Sequence, residues 1–225
     1  EIKARIKLDD ESLPYKDKNY EYWTKVTKEG NYSKKLRKKI DDSKIETYWD
    51  GDIEAEGKKF FSTGDVVVSH NDELLAYSID DKGSEYFTIF VRRISDSKII
   101  EEPIRDTAGG ITWTYDDKYF FYSKLDQFHR PKKIFRHELG TSIKEDELIF
   151  EEKEDRFTCG ISTSSDENFY FISTSEHTSS EYYYFNKNEI KPEPKLILKR
   201  KAGIEYSLDS WDGYFWMHTN QDAKD

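Results

Sequence analysis

A ten-residue motif returns four times along this 225-residue chain, and no other feature constrains the fold as strongly. The copies are Ser69-His70-Asn71-Asp72-Glu73-Leu74-Leu75-Ala76-Tyr77-Ser78, Thr114-Tyr115-Asp116-Asp117-Lys118-Tyr119-Phe120-Phe121-Tyr122-Ser123, Ser164-Ser165-Asp166-Glu167-Asn168-Phe169-Tyr170-Phe171-Ile172-Ser173 and Ser210-Trp211-Asp212-Gly213-Tyr214-Phe215-Trp216-Met217-His218-Thr219. The first residues lie 45 apart from Ser69 to Thr114, 50 from Thr114 to Ser164 and 46 from Ser164 to Ser210. Short strands repeated every 40 to 50 residues or so are the signature of propeller blades. Ser and Asp recur together, which tempts a catalytic reading, but a catalytic group is needed once and a turn in every blade. These residues are therefore expected to hydrogen-bond their own backbone at the start of a hairpin.

The segment 110–152 shows the order of elements within one repeat. Ile111 to Thr114 reads as a short strand, Tyr115-Asp116-Asp117 as a turn, and Tyr119 to Lys124 as an aromatic strand. A loop from Asp126 to Pro131 follows, then strands at Lys133 to His137 and Glu147 to Phe150. The neighbouring repeats predict strands near 65–69, 73–79, 86–93 and 98–104, and near 158–163, 168–174, 181–186 and 195–199. The last copy supplies only 204–208 and 213–219. The fold class is all-β: a partial propeller with blades at about 12–50, 64–105, 110–152 and 157–200 and two strands of a fifth over 204–225. Such a ring does not close, so the uncovered flank of the last strands should be apolar and sticky, and the chain reads as a piece.

One segment of the first blade is ambiguous. Tyr32, Leu36 and Ile40 are spaced as on an amphipathic helix, with lysines between. A lysine-studded outer strand fits the blade order better, because charged residues protect sheet edges.

The net charge is −10, and it is uneven. Residues 1–45 hold 13 basic and 9 acidic side chains, and the remainder 23 and 37, so −14 falls beyond residue 45. An acidic field repels phosphate backbones, which argues against nucleic-acid binding and favours cationic ligands. The single cysteine, Cys159, permits no internal disulfide, as in a reducing, cytoplasmic setting. No apolar run approaches the length of a membrane span, and no signal peptide is visible. The start at Glu1 rather than Met points to a natural N-terminus further upstream.

Candidate chemistry is sparse. Gly140-Thr141-Ser142 and Gly160-Ile161-Ser162 approach a G-x-S-x-G elbow, but Lys144 and Ser164 stand where the second glycine belongs. His70, His129, His137, His177 and His218 are scattered without ligand spacing, so structural or surface roles are expected. Asp50, Asp52, Glu54 and Glu56 alternate as in calcium loops but miss the full pattern. The cluster Glu145, Asp146, Glu147, Glu151, Glu152, Glu154 and Asp155 reads as a solvated loop between blades, with Arg156 as an ion-pair partner. Asn31-Tyr32-Ser33 is a sequon, meaningful only in a secreted protein. No catalytic, cofactor-binding or metal-binding residue is assigned.

An ordered set of strings resembles the propeller of the oligopeptidase B (protease II) family, within the prolyl oligopeptidase group of serine peptidases. It comprises Ala4-Arg5-Ile6-Lys7, Asp9-Asp10, Pro14-Tyr15, Ala55-Glu56-Gly57, Phe60-Phe61-Ser62, Leu75-Ala76-Tyr77-Ser78, Phe135-Arg136-His137, Leu139-Gly140-Thr141, Glu151-Glu152-Lys153, Asp155-Arg156-Phe157, Thr178-Ser179-Ser180-Glu181 and Gly203-Ile204-Glu205-Tyr206-Ser207. The resemblance implies a seven-bladed propeller that gates an α/β-hydrolase domain bearing a Ser-Asp-His triad, with cleavage of short peptides after Lys or Arg. None of the matching positions carries a family catalytic residue, so the chain alone is expected to be inactive. Its implied partners are a hydrolase portion of the same or a neighbouring polypeptide and short basic peptides as substrates, with no cofactor, nucleic acid or membrane. A free-standing propeller scaffold for protein–protein interaction is the alternative.

Overall fold

The structure, a computed structural model, describes Arg5 and residues 7–223. Ala4 and Ile6 of the first resembling string thus lie outside the described residues. The chain is built almost wholly of antiparallel strands and forms two compact units, Glu1–Thr63 and Gly64–Asp225.

In the first unit, strands β1 (Asp10–Glu11), β2 (Tyr15–Asp17), β3 (Tyr20–Val26), β4 (Lys34–Lys39) and β5 (Ile45–Asp50) form one sheet in the order β1-β3-β4-β5, with β2 also on β3. The ambiguous lysine-rich segment is the strand β4, but it is not an outer strand: β3 and β5 occupy its two edges. Three of its five cations are matched across the sheet instead. Glu21 lies opposite Lys38 and Glu46 opposite Arg37, with ion pairs of 3.0 and 2.7 Å, and Asp50 opposite Lys34 makes a third pair. Directly opposed unlike charges stabilise a sheet where like charges would split it. Arg37 is buried, with its guanidinium 4.4 Å from the centroid of the Tyr20 ring, and Tyr22, Tyr48 and Trp49 complete the core.

A short helix, α1 (Gly51–Ala55), was not anticipated. It follows from the acidic residues that looked like a calcium loop. The Asp50 carboxylate accepts the backbone N–H of Asp52 at 3.1 Å as an N-cap, and Asp52 accepts those of Asn31 (2.8 Å) and Tyr32 (3.1 Å).

In the second unit, strands β6 (Ser62–Val68, whose first two residues fall before the unit's start), β7 (Leu74–Asp80), β8 (Phe87–Arg93), β9 (Ile104–Trp113), β10 (Tyr119–Leu125), β11 (Pro131–Glu138) and β12 (Glu147–Glu151) pair in sequence order as one curled ribbon. β13 (Thr158–Thr163), β14 (Phe169–Glu176), β15 (Ser179–Asn186) and β16 (Lys195–Leu198) form a four-stranded blade, and β17 (Tyr206–Trp211) and β18 (Tyr214–Thr219) a hairpin. The architecture is a partial β-propeller.

The expected separate strand at 98–104 is reduced to a single bridge, Arg92 with Ile99. β9 does both jobs: its start, at Ile104 and Thr107, pairs with β8, and its end, from Ile111 to Trp113, pairs with β10. Two left-handed residues, Asp106 (φ 60°) and Gly109 (φ 89°), flank Thr107, which pairs with both neighbours, and bend the strand there. At Gly109 a Cβ would lie 2.9 Å from the Phe87 ring, so this position requires glycine twice over.

Alternation along β10 places the core. Phe120 and Tyr122 pack with Trp113 of the neighbouring strand β9 and with Ala76, Ile89 and Val91 of β7 and β8. Phe121, between them, faces the other way into a cluster with Ile134, Cys159, Tyr170, Ile172 and Phe185. A strand sends successive side chains to opposite faces, so an all-aromatic run is what a blade buried on both faces needs. β18 behaves differently. Phe215 packs on Phe169 and Tyr184 at ring distances of 5.0 Å, while Tyr214 (68% exposed) and Trp216 (61% exposed) face outward.

Candidate functional site

The motif turns are joints between blades. In the first three copies the leading hydroxyl closes its own hairpin. Ser69 Oγ accepts the N–H of Leu74, Thr114 Oγ1 that of Tyr119 and Ser164 Oγ that of Phe169, at 2.9 to 3.0 Å. Each hydroxyl donates to the third motif residue, Asn71, Asp116 or Asp166, at 2.7 Å. The recurrent serines and aspartates are thus structural, as their repetition required. The fourth copy is a tighter hairpin, with Asp212 (φ 52°) and Gly213 (φ 79°) at its tip, and its Ser210 hydroxyl donates to Asp166 at 2.8 Å.

A second regularity appears only in three dimensions. The backbone N–H of the second motif residue in three successive copies is taken by a side chain within the next copy or, for the last, just before it. Asp117 accepts from His70 (2.6 Å), the Tyr170 hydroxyl from Tyr115 (3.1 Å) and Asp209 from Ser165 (2.8 Å). Two residue types, aspartate and tyrosine, serve one geometric role, and no spacing rule in the sequence reveals it.

Two buried charge clusters reinforce the same seams. In the first, His137 is 1% exposed, with Nδ1 2.7 Å from Asp146 Oδ1 and Nε2 3.6 Å from Glu101 Oε2. The Tyr122 hydroxyl donates to the same Asp146 carboxylate at 2.5 Å, and Glu101, from the preceding blade, also accepts the N–H of Gly140 at 2.8 Å. Burial alone would depress His137, but the hydrogen bond and charge of Asp146, helped by Glu101, lift its pKa above the ordinary histidine value.

The second cluster lies at the other end of the strands. Arg200 bridges the buried carboxylates of Glu152 (2.7 Å) and Glu181 (3.1 Å), and its guanidinium sits 4.0 Å from the centroid of the Phe157 ring. Lys132 caps the carbonyls of Glu154 and Phe157 beside it. Cys159 is buried nearby. Desolvation, with the Glu152 charge adding to it, pushes its thiol up to about 12, so it is not an activated nucleophile.

The structure disperses the remaining sequence candidates. Gly140 lies in a turn, Ser142 caps a 3₁₀ turn over Ile143–Glu145, and Gly160, Ile161 and Ser162 lie within β13, so neither string forms a strand-to-helix elbow. The five histidines are not brought together; His129 stacks on Tyr86 at 4.1 Å and His218 lies on β18. The acidic cluster is a solvated loop only in part: Glu145, Glu154 and Asp155 are exposed outside the strands, whereas the others are paired. Asp146 is buried on His137, Glu147 pairs with Arg136 (2.6 Å), Glu151 with Lys133 (3.2 Å) and Glu152 with Arg200. Arg156 is exposed and makes no ion pair among the described residues; Arg130 reaches Asp155 instead, at 3.8 Å. Among the described residues no group of three or more His, Cys, Asp or Glu side chains is arranged to hold a metal ion. No described helix is long and apolar enough to cross a membrane.

These joints link consecutive strand hairpins through backbone and buried side chains, and known proteins share the fold that they hold together. Residues 1–225 match the model of the prolyl oligopeptidase N-terminal β-propeller domain. The chain belongs to this family. Among curated relatives, Protease 2 of Moraxella lacunata is 26% identical over 97% of this chain and 33% of its own length. Dipeptidyl aminopeptidase BI of Pseudoxanthomonas mexicana is 28% identical over 99% of this chain, again with 33% of its own length. Oligopeptidase B from Leishmania major superposes with a TM-score of 0.91 at 27% identity, covering 96% of this chain and 31% of that one. Oligopeptidase B from Trypanosoma brucei gives 0.88 at 25% identity over the same shares. The chain spans about a third of the length of these relatives.

Proposed function

We propose that this chain is the substrate-gating propeller portion of a serine peptidase of the oligopeptidase B type. It selects short peptides for cleavage after Lys or Arg by an α/β-hydrolase portion joined to or assembled with it, and it is inactive alone. The observation that carries this reading is the superposition on two oligopeptidase B structures along 96% of the chain. The curated relatives span several specificities by name, so the preference for basic residues rests on charge: the 23 basic and 37 acidic side chains beyond residue 45 enrich cationic peptides near the propeller. The inactivity rests on the resembling strings, none of which carries a family catalytic residue, and on the His137 and Arg200 clusters, whose charged groups are engaged in ion pairs and hydrogen bonds.

The test is an assay of the polypeptide that naturally contains these residues, with fluorogenic substrates ending in Arg, Lys or Pro. Cleavage after Arg and Lys is the expected result, with none by residues 1–225 alone. Preference for Pro would overturn the specificity, and hydrolysis by the isolated chain would overturn the division of labour.

The outward rings of Trp211, Tyr214 and Trp216 favour a second reading, a scaffold that binds another protein. Pull-down from native extract separates the two, because the first requires a hydrolase portion either joined to the captured chain or bound to it.

A further inference from the structure

Beside the second motif turn, bordered by the Tyr115–Tyr170 joint, lies a cleft of about 460 Å³. One wall is Tyr115 and Tyr119; the other is the loop after β15, with Lys187, Ile190 and Pro192. The volume suits a small ligand or one or two peptide side chains.

Its charges are matched with one exception. Arg136 is paired with Glu147 at 2.6 Å and lies over the Tyr119 ring at 4.5 Å. Glu189 accepts the N–H of Asn186 at 3.0 Å and meets Lys195 at 3.6 Å. Asp116 accepts the Thr114 hydroxyl at 2.7 Å and has Lys118 at 3.8 Å. Lys187 is half-buried, and its ammonium sits 5.1 Å from the centroid of the Tyr115 ring, with no carboxylate within ion-pair distance among the described residues. The chain has 46 acidic side chains against 36 basic ones, so an internal counter-ion would be easy to supply. Here an aromatic face provides the compensation found among the described residues, and the volume beside it is open.

We infer that this cleft binds a carboxylate carried on an apolar or aromatic stem. The carboxylate accepts a charge-assisted hydrogen bond from Lys187, and the stem lies along Tyr119, Ile190 and Pro192. Two sources share this chemistry, a free aryl-substituted acid and a glutamate or aspartate next to an aromatic residue in a peptide. The site faces the motif-turn end of the strands, so it is separate from the Arg200 cluster, and it does not depend on the peptidase reading above.

The experiment is calorimetric titration of the complete natural polypeptide with 3-phenylpropionate, 3-phenylpropionamide, acetyl-Phe-Glu-amide and acetyl-Phe-Gln-amide, at low and high salt. Saturable binding of at least one carboxylate over its matched amide is expected, weakening with salt. Lys187→Gln should lower that affinity about tenfold, the size expected for one charge-assisted hydrogen bond, and Lys187→Arg should retain it. Whichever of the acid and the peptide binds identifies the source. Binding of neither, equal binding of the amides, or full affinity in Lys187→Gln with an unchanged melting temperature would overturn the inference.

Discussion

The carboxylate of Asp117 holds the turn of the preceding blade by its backbone, accepting the N–H of His70 at 2.6 Å and that of Asn71 at 2.7 Å. It also lies 3.2 Å from the His70 ring nitrogen Nδ1. Removing it strands two donors at a seam that is partly closed to water. Asp117→Ala should therefore cost about 1–3 kcal/mol in urea unfolding, and Asp117→Asn, which keeps one acceptor oxygen, distinctly less. Equal losses in the two variants would show that charge, not hydrogen bonding, holds the joint.

The same contact sets an acid limit. Burial raises the pKa of Asp117, but hydrogen bonds from the His70 side chain and from the backbone of His70 and Asn71 outweigh it and hold it below 3.8. Its folded pKa lies below the unfolded one, so its contribution is complete above the unfolded value and fades as pH falls through the folded one. Acid titrations followed by near-ultraviolet circular dichroism should show a shallower loss of stability below about pH 4 in Asp117→Asn than in the parent. An identical slope would place the acid sensitivity elsewhere.

His137 works in the opposite direction. Its folded pKa is raised above 6.5, so the charged ring stabilises fully below the ordinary histidine range, and that contribution is lost as pH rises through the folded value. The groups facing it are Asp146 and Glu101, with the Tyr122 hydroxyl behind Asp146 and the Phe120 ring 5.2 Å away. His137→Gln leaves two carboxylates in a site without a cation. The variant should lose about 3–5 kcal/mol near pH 6. The gap to the parent should narrow as the solution is made alkaline. A gap independent of pH would mean that shape alone holds the ring there.

What was legible in the sequence follows from the range of each interaction. The motif turns close within five residues, as from Ser69 to Leu74, so their hydroxyl and acidic residues could be read locally. The aromatic strands announce themselves because β10 buries both faces. Joints between blades could not be read. Asp117 reaches back 47 residues to His70 and Arg200 reaches back 48 to Glu152, and any acidic or basic residue in the repeat could have filled those roles. The acidic run from Glu145 to Asp155 misled because sequence shows like charges adjacent, while the fold alternates them toward Arg136, Lys133 and Arg200. The lysines of β4 misled similarly, since their partners come from the strands on either side.

Cys159 offers a reporter for seam opening. Its thiol, pushed up to about 12, is almost wholly protonated at neutral pH and is also sealed behind the Arg200 cluster. Iodoacetamide at pH 8 should leave it unmodified in the folded protein and label it fully in urea, as read by mass spectrometry. Arg200→Ala removes the cation between Glu152 and Glu181, and labelling under native conditions should then rise by an order of magnitude or more through local opening. Rapid labelling of the parent would contradict the packing of this seam.

Gly109 tests the crossover in β9. Its φ of 89° suits glycine, and an added Cβ would lie 2.9 Å from the Phe87 ring. Gly140 has a similar φ of 82° but open space where the Cβ would go. Both alanine variants meet the cost of left-handed backbone, about 1–2 kcal/mol. Only Gly109→Ala also forces Phe87 to move in a packed seam, a further cost of about 1–3 kcal/mol. The difference between the two melting curves thus isolates the steric term, with Gly109→Ala the less stable. If the two variants melt together, Phe87 yields without cost, and the close approach of β8 to the bend in β9 is not what fixes the path of the chain from one blade to the next.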